Sequence, residues 1–274
     1  MSKLNEHLIK RTSDMLLRTL LFFCSCMFLF ACSNSGHETE AITGNPPAEG
    51  FNAADSDPQA IALADSVMAA MGGRQNWDDT RYLYWNFFGA RTLLWDKQNK
   101  KARVESLRDS SIHLVDIATG ESRIMMYGEE QTHPDSLAKY GKRGMSWWIN
   151  DSYWLVMPFK LKDSGVTLKY LGQDTTIAGK MAEVLQLTFE AVGNTPQNKY
   201  LVYVDPETKL VSQWDFFTKA TDDKARFALP WKNYNPHGSI LLSGDRGERQ
   251  LTDIAVLDEV PVSAFTSFDP VDLK

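Results

Sequence analysis

The sequence predicts one α+β domain built on antiparallel strands, on three observations. β-prone runs of five to nine residues follow one another at turn-length intervals, which is the spacing of hairpins rather than of βαβ units. A single amphipathic segment precedes them all. The strand pattern is broken once, over residues 132–157, by a segment that reads as helical.

The elements follow in order. Asp57 suits a helix N-cap and Pro58 the first helical position, where no N–H is needed. Ile61, Ala64, Val67, Met68 and Met71 then form one apolar stripe, and Gly72-Gly73 ends it. Residues 75–79 make a short turn with Trp77 inward. Strands are expected at 81–88, 91–96, 102–107, 111–117, 121–127, 166–171, 181–189, 199–204, 210–217, 239–242 and 250–257, about eleven in all. In the interruption, Thr132 or His133 caps a first turn beginning near Pro134. A second stretch opens at Ser146 and stops at Pro158. Asp205-Pro206-Glu207-Thr208 is a turn, and pairing across it places Tyr200, Val202, Val204, Leu210, Trp214 and Phe216 on one face. Val211, Gln213, Asp215 and Phe217 share the other with Leu201 and Tyr203.

The N-terminus reads as an address. Lys3, Lys10, Arg11 and Arg18 precede a 13-residue apolar run, Thr19 to Ala31. A membrane-spanning helix needs about 20 such residues, so this run has the length of a signal-peptide core. It ends Leu29-Phe30-Ala31-Cys32-Ser33. That ending resembles a bacterial lipobox, which implies removal of residues 1–31 and a lipid anchor on Cys32. Ser33 after the cysteine implies the outer membrane. Residues 33–57, rich in Ser, Gly, Asn, Pro and acids, have no apolar period and read as a disordered tether. The domain is then expected over residues 58–274.

Composition narrows the chemistry. Without its first 31 residues the chain carries 25 basic and 33 acidic groups and no basic stripe, which argues against nucleic acid as a partner. The three cysteines, Cys24, Cys26 and Cys32, all precede the domain, which leaves it no disulfide and no thiol nucleophile. No nucleophile elbow, phosphate loop, dinucleotide fingerprint or zinc motif is present. His113, His133 and His237 lack ligand spacing and read as structural or surface residues. The sequence therefore predicts no enzyme, no metal and no cofactor.

One resemblance covers roughly Pro58 to Pro270. It rests on Met71-Gly72-Gly73 with Trp77, on Trp95-Asp96 with Arg103-Val104-Glu105, and on the run from Asn150 to Leu161. Tyr203-Val204-Asp205 with Trp214, and Trp231-Lys232-Asn233-Tyr234, add to it. In these the chain resembles Gram-negative outer-membrane lipoproteins grouped with the LolA/LolB-like lipoprotein-localisation superfamily. The resemblance implies a strongly curved open antiparallel sheet, a half-barrel, with helices in its concave face. It also implies a hydrophobic hollow of the kind that holds acyl chains.

The aromatic residues are the unusual feature. All eight Trp lie between Trp77 and Trp231. Tyr82, Tyr84 and Phe88 alternate with Leu83, Trp85 and Phe87, so both faces of the first strand are apolar. A packed core and a ligand-lined wall both account for that. As a ligand wall, the candidates are Trp147, Trp148 and Trp154 on the helix and Trp85, Trp95, Trp214 and Phe216 on strands. Asn150 and Asp151, between Trp147 and Trp154, would meet a polar head or point to water, and a buried Asp151 requires a donor partner. The leading functional expectation is a membrane-anchored envelope lipoprotein that binds a lipid, an acyl chain or another apolar ligand, in lipid or lipoprotein transport. The alternative is a structural or interaction lipoprotein that meets an envelope protein partner and holds no small ligand.

Overall fold

The computed structural model describes residues 44–273. The expected signal segment, Cys32 and the first part of the expected tether lie outside the described residues. Three helices are present among the described residues: α1 (Pro58–Ala70), α2 (Arg74–Asp79) and α3 (Pro134–Val156). Fifteen strands accompany them. The first six are β1 (Tyr82–Phe87), β2 (Arg91–Asp96), β3 (Lys101–Ser106), β4 (Ser111–Asp116), β5 (Ser122–Met126) and β6 (Glu129–Glu130). After α3 come β7 (Val166–Thr175), β8 (Met181–Phe189), β9 (Lys199–Val204), β10 (Val211–Phe217) and β11 (Phe227–Pro230). The last are β12 (Asn235–His237), β13 (Ile240–Leu242), β14 (Asp245–Arg246) and β15 (Arg249–Leu257).

The class is α+β and every strand pairing is antiparallel. The single sheet of about eleven strands is corrected. An eight-stranded sheet runs β14-β15-β1-β2-β3-β4-β5-β6, a five-stranded sheet runs β11-β10-β9-β8-β7, and β12-β13 stand apart. The four strands missed in sequence, β6, β11, β12 and β14, are two to four residues long, too short to show an alternating period. The two large sheets touch at an isolated bridge between Lys232, just past β11, and Asp245 of β14. Their far edges, β6 and β7, do not pair, so no barrel closes among the described residues. The helix α3 spans the chain between those two edges.

The expected tether is shorter than its composition suggested. The Asn45 side chain donates to Asp65 at 2.7 Å, and Lys162 joins both residues. Further on, Asn52 donates to Thr167 at 3.0 Å and Ser56 accepts from the Leu168 N–H at 3.0 Å. Residues 45–57 are thus held against Asp65, Lys162 and the start of β7 by side-chain and backbone hydrogen bonds, a mode of packing that leaves no apolar period. Asp57 does stand at the N-cap of α1, but its carboxylate accepts from the Tyr170 N–H and pairs with Lys169 instead of capping the helix. Gly72 ends the helix at φ +113°, where a Cβ would come 2.5 Å from the Ser239 carbonyl oxygen.

Both apolar faces of β1 are explained. Leu83, Trp85 and Phe87 enter the main core with α1 and α3. Tyr82 and Tyr84 lie on the outer face beneath Val260, Ala264, Phe265, Val271 and Leu273. Arg103, buried on that same face, fixes the C-terminal segment by donating to the carbonyls of Ala264, Ser267 and Asp269. In β10 a register shift between Val211 and Gln213 moves Val211 opposite Val204 and into the main core, correcting its assignment to the other face. Trp214 opposite Val202 and Phe216 opposite Tyr200 are as the pattern predicts.

Candidate functional site

The helix α3 organises the interior. It is one helix of 23 residues, not a turn followed by a helix at Ser146. His133 caps it by accepting from the Asp135 N–H, and Pro134 takes the first position. Gly141 and Gly144 let it lie close on the sheet. A Cβ at Gly144 would fall 2.9 Å from His113 on β4, and one at Gly141 would fall 3.3 Å from Ser122 on β5.

The seven aromatic candidates do not converge on one space; six of them fall into three ring clusters, and Trp85 into none. Trp154 meets Trp214 edge-on at 4.8 Å and Phe88 at 5.2 Å. Tyr200 stacks on Trp214 at 5.2 Å and carries Phe216 at 5.3 Å. Trp148 meets Trp95 at 5.4 Å, next to Trp77. Trp147 lies 5.3 Å from the His113 ring, between the guanidinium groups of Arg91 and Arg143 at 4.9 and 4.6 Å. Trp85 is fully buried in the main core. The indole N–H groups of Trp85, Trp148 and Trp214 and the Tyr153 hydroxyl are buried and have no acceptor among the described residues.

Charge is tied down beside these rings. Asp151 is fully buried and takes two bonds from Arg91, at 2.6 and 2.9 Å, and one from Asn150 at 2.9 Å. The required donor partner is therefore present, and Asp151 does not point to water. Burial raises its pKa against the pull of Arg91. Arg143 holds Asp109 at 2.9 Å, Ser111 donates to Asp109 at 2.7 Å, and His113 Nε2 lies 3.1 Å from the Ser111 hydroxyl. Burial first, and the Arg143 charge second, hold His113 down to about 4, so its ring is neutral at pH 7. Arg246, fully buried, lies over the Trp231 ring and donates to the Trp154 carbonyl at 2.8 Å. That bond satisfies one of the last carbonyls of α3.

A hollow away from these rings lies elsewhere on α3. It measures about 630 Å³ and lies where the first turns of α3 pass the β4–β5 hairpin. Leu114, Val115, Leu137, Ala138, Gly141 and Phe265 supply its apolar lining. Lys101, Arg123 and Lys142 supply cations. Lys101 pairs with Asp116 and Arg123 with Glu130, whereas Lys142 has no ion pair among the described residues. None of the seven aromatic candidates lines it. Sequence reasoning missed these residues, and the available signal was a pair of glycines, three apart, inside a helical segment.

A family model described as a family of unknown function, DUF6503, matches residues 116–262. The chain belongs to that family. The DUF6503 match begins at the last residue of β4 and covers β5, α3 and the five-stranded sheet. No curated protein matches the sequence. Among solved structures, a DUF1329 family protein from Desulfovibrio piger is similar at 11% identity, over 77% of this chain and 98% of that one, with a TM-score of 0.43. MucB in complex with MucA(peri) is similar at 14% identity, over 74% of this chain and 66% of that one, at 0.23. The MucA/MucB complex of Pseudomonas aeruginosa is similar at 16% identity, over 56% and 50%, at 0.21. No helix among the described residues is long and apolar enough to cross a membrane.

Proposed function

We propose that the protein is an envelope lipoprotein, anchored through Cys32, that binds an acyl chain or similar apolar ligand carrying an anionic head. The observation that carries this reading is the hollow beside α3. Its volume of about 630 Å³ falls in the usual range of small-molecule sites, ~300–1,000 Å³. An apolar lining takes the chain, and Lys142, free of ion pairing among the described residues, faces the head with Lys101 and Arg123 beside it. The LolA/LolB-like resemblance supports the same class of ligand and a role in lipid or lipoprotein transport. Lipidation itself is tested by labelling with an acyl-chain probe: the wild type is tagged and Cys32→Ser is not, and equal tagging removes the anchor from the proposal.

The decisive experiment is titration with a fatty acid and a lysophospholipid, read by calorimetry, on the wild type and on Ala138→Trp. Ala138 is exposed at the hollow, so the indole fills space without disturbing the core. Binding by the wild type and loss in the variant support the hollow. Equal binding by both moves the ligand to the aromatic half of α3. There, the unsatisfied donors of Trp148, Trp214 and Tyr153 suit an ester or carboxylate oxygen. Binding by neither leaves the structural reading, a lipoprotein that meets an envelope protein partner, which the mutual packing of the Trp rings favours.

A further inference from the structure

A second recess, about 260 Å³, opens between the β12–β13 hairpin and the β14–β15 turn and shares no lining residue with the hollow beside α3. Its rim carries Asn233, Asn235, His237, Asp245, Gln250 and Asp253. Its floor is Leu242 and Leu251, both buried.

The hydrogen bonds around it have one sense. Asn233 donates its amide to Asp245 at 2.6 Å, and Gln250 donates to Asp245 at 3.1 Å and to the Gly247 carbonyl at 2.7 Å. Asn235 donates to the Asn233 carbonyl at 2.9 Å. All three amide NH₂ groups are thus engaged within the protein, while their three side-chain carbonyl oxygens accept nothing among the described residues. Asp253 accepts from Thr252 through one oxygen, at 3.0 Å, and its other oxygen is free. Asn233 and Asp253 stand at φ +57° and +54°, so the backbone holds both in the left-handed region. The recess therefore presents a fixed set of oxygen acceptors over an apolar floor. No Lys or Arg lines it, and burial keeps His237 on the neutral side.

We propose that this recess binds a hydroxyl-rich ligand, a glycan residue whose hydroxyl groups donate to the amide and carboxylate oxygens while its C–H face covers the half-buried Ile254 beside Leu251. An ammonium ion or a divalent cation would meet the same oxygens, but the surroundings disfavour them. Asp245 already accepts from Asn233, Gln250 and Gly247 and has the Lys232 charge beside it. No group of three His, Cys, Asp or Glu side chains able to hold a metal occurs among the described residues. An apolar floor also gives a cation nothing in place of its hydration.

The test uses the full chain, isotope-labelled, with chitotriose as the probe and spermidine and calcium chloride as separate arms. Chitotriose at millimolar concentration is expected to shift the side-chain amide signals of Asn233, Asn235 and Gln250. Asn235→Leu, an exposed change on a short hairpin, is expected to weaken the effect about tenfold. Asp253→Asn keeps a residue suited to positive φ and is expected to weaken it less. A fatty acid is expected to leave these signals in place. No shift with chitotriose, a larger shift with spermidine or calcium, or an unchanged shift in Asn235→Leu overturns the proposal. None of these outcomes depends on whether the hollow beside α3 binds a lipid.

Discussion

The two halves of α3 meet the same interior in opposite ways. Its C-terminal half is locked by large groups: Trp148 against Trp95, Trp154 against Trp214 and Phe88, Asp151 on Arg91, and Arg246 on the Trp154 carbonyl. Its N-terminal half is laid on the sheet by the absence of side chains, at Gly141 and Gly144, and beside it is a hollow of about 630 Å³. The difference teaches that aromatic density marks where a helix is fixed. Rings fill space and hold one another edge to face, at about 0.5–1.5 kcal/mol per pair beyond burial. Small residues, by contrast, mark where backbone comes close and room for a ligand remains at the flank.

Substitutions break or sharpen that comparison, the largest effect first. Trp154→Ala removes a ring touching Phe87, Phe88, Trp214 and Phe227. It is expected to cost about 3–5 kcal/mol in denaturant unfolding. Leu137→Ala, in the open half, is expected to cost about 1 kcal/mol or less. Equal costs would erase the distinction between the halves.

The His113 site gives the next effect, through pH. Its pKa is about 4 folded against 6.5 as the ordinary value. Between those values the unfolded chain holds a proton that the folded chain does not. Stability is therefore complete above the ordinary value and falls as pH drops toward the folded one, by on the order of 3 kcal/mol. His113→Gln is expected to flatten that part of the pH profile; an unchanged slope assigns it to other groups, among them His237, whose pKa is also lowered by burial.

Gly144→Ala sharpens the sign. In an open helix the change gains about 1 kcal/mol. Here the added methyl meets the His113 ring and Cβ, and the expected result is a loss of about 1–3 kcal/mol. A stabilised Gly144→Ala protein would show that α3 stands off the sheet. The smallest effect is that of Ala138→Trp on thermal unfolding, within about 0.5 kcal/mol, because Ala138 is exposed. A larger loss would mean that the hollow is narrower than the structure gives it.

Much of the fold was legible in the sequence. The alternating period found β1 to β5, β7 to β10, β13 and β15, and the stripe from Ile61 to Met71 found α1. The candidate site was less so. Trp147 and Trp148 were correctly placed on α3, but periodicity cannot say whether a ring faces another ring or a ligand. The hollow depends on residues as distant as Lys101, Leu137 and Phe265, whose meeting no local pattern records.

The sequence by itself determined the local alternatives: which segments alternate, where glycine and proline stop them, and that the domain has no thiol. It did so because backbone sterics and side-chain periodicity act over a few residues. Only the tertiary structure decided that the strands divide into two large sheets meeting at Lys232 and Asp245, that residues 45–57 are held against Lys162 and the start of β7, and that the outer face of β1 lies under the C-terminal segment. It also decided that Asp151 is paired with Arg91, sixty residues away. Each of these is a contact between distant parts of the chain, settled by burial and hydrogen-bond satisfaction across the whole fold.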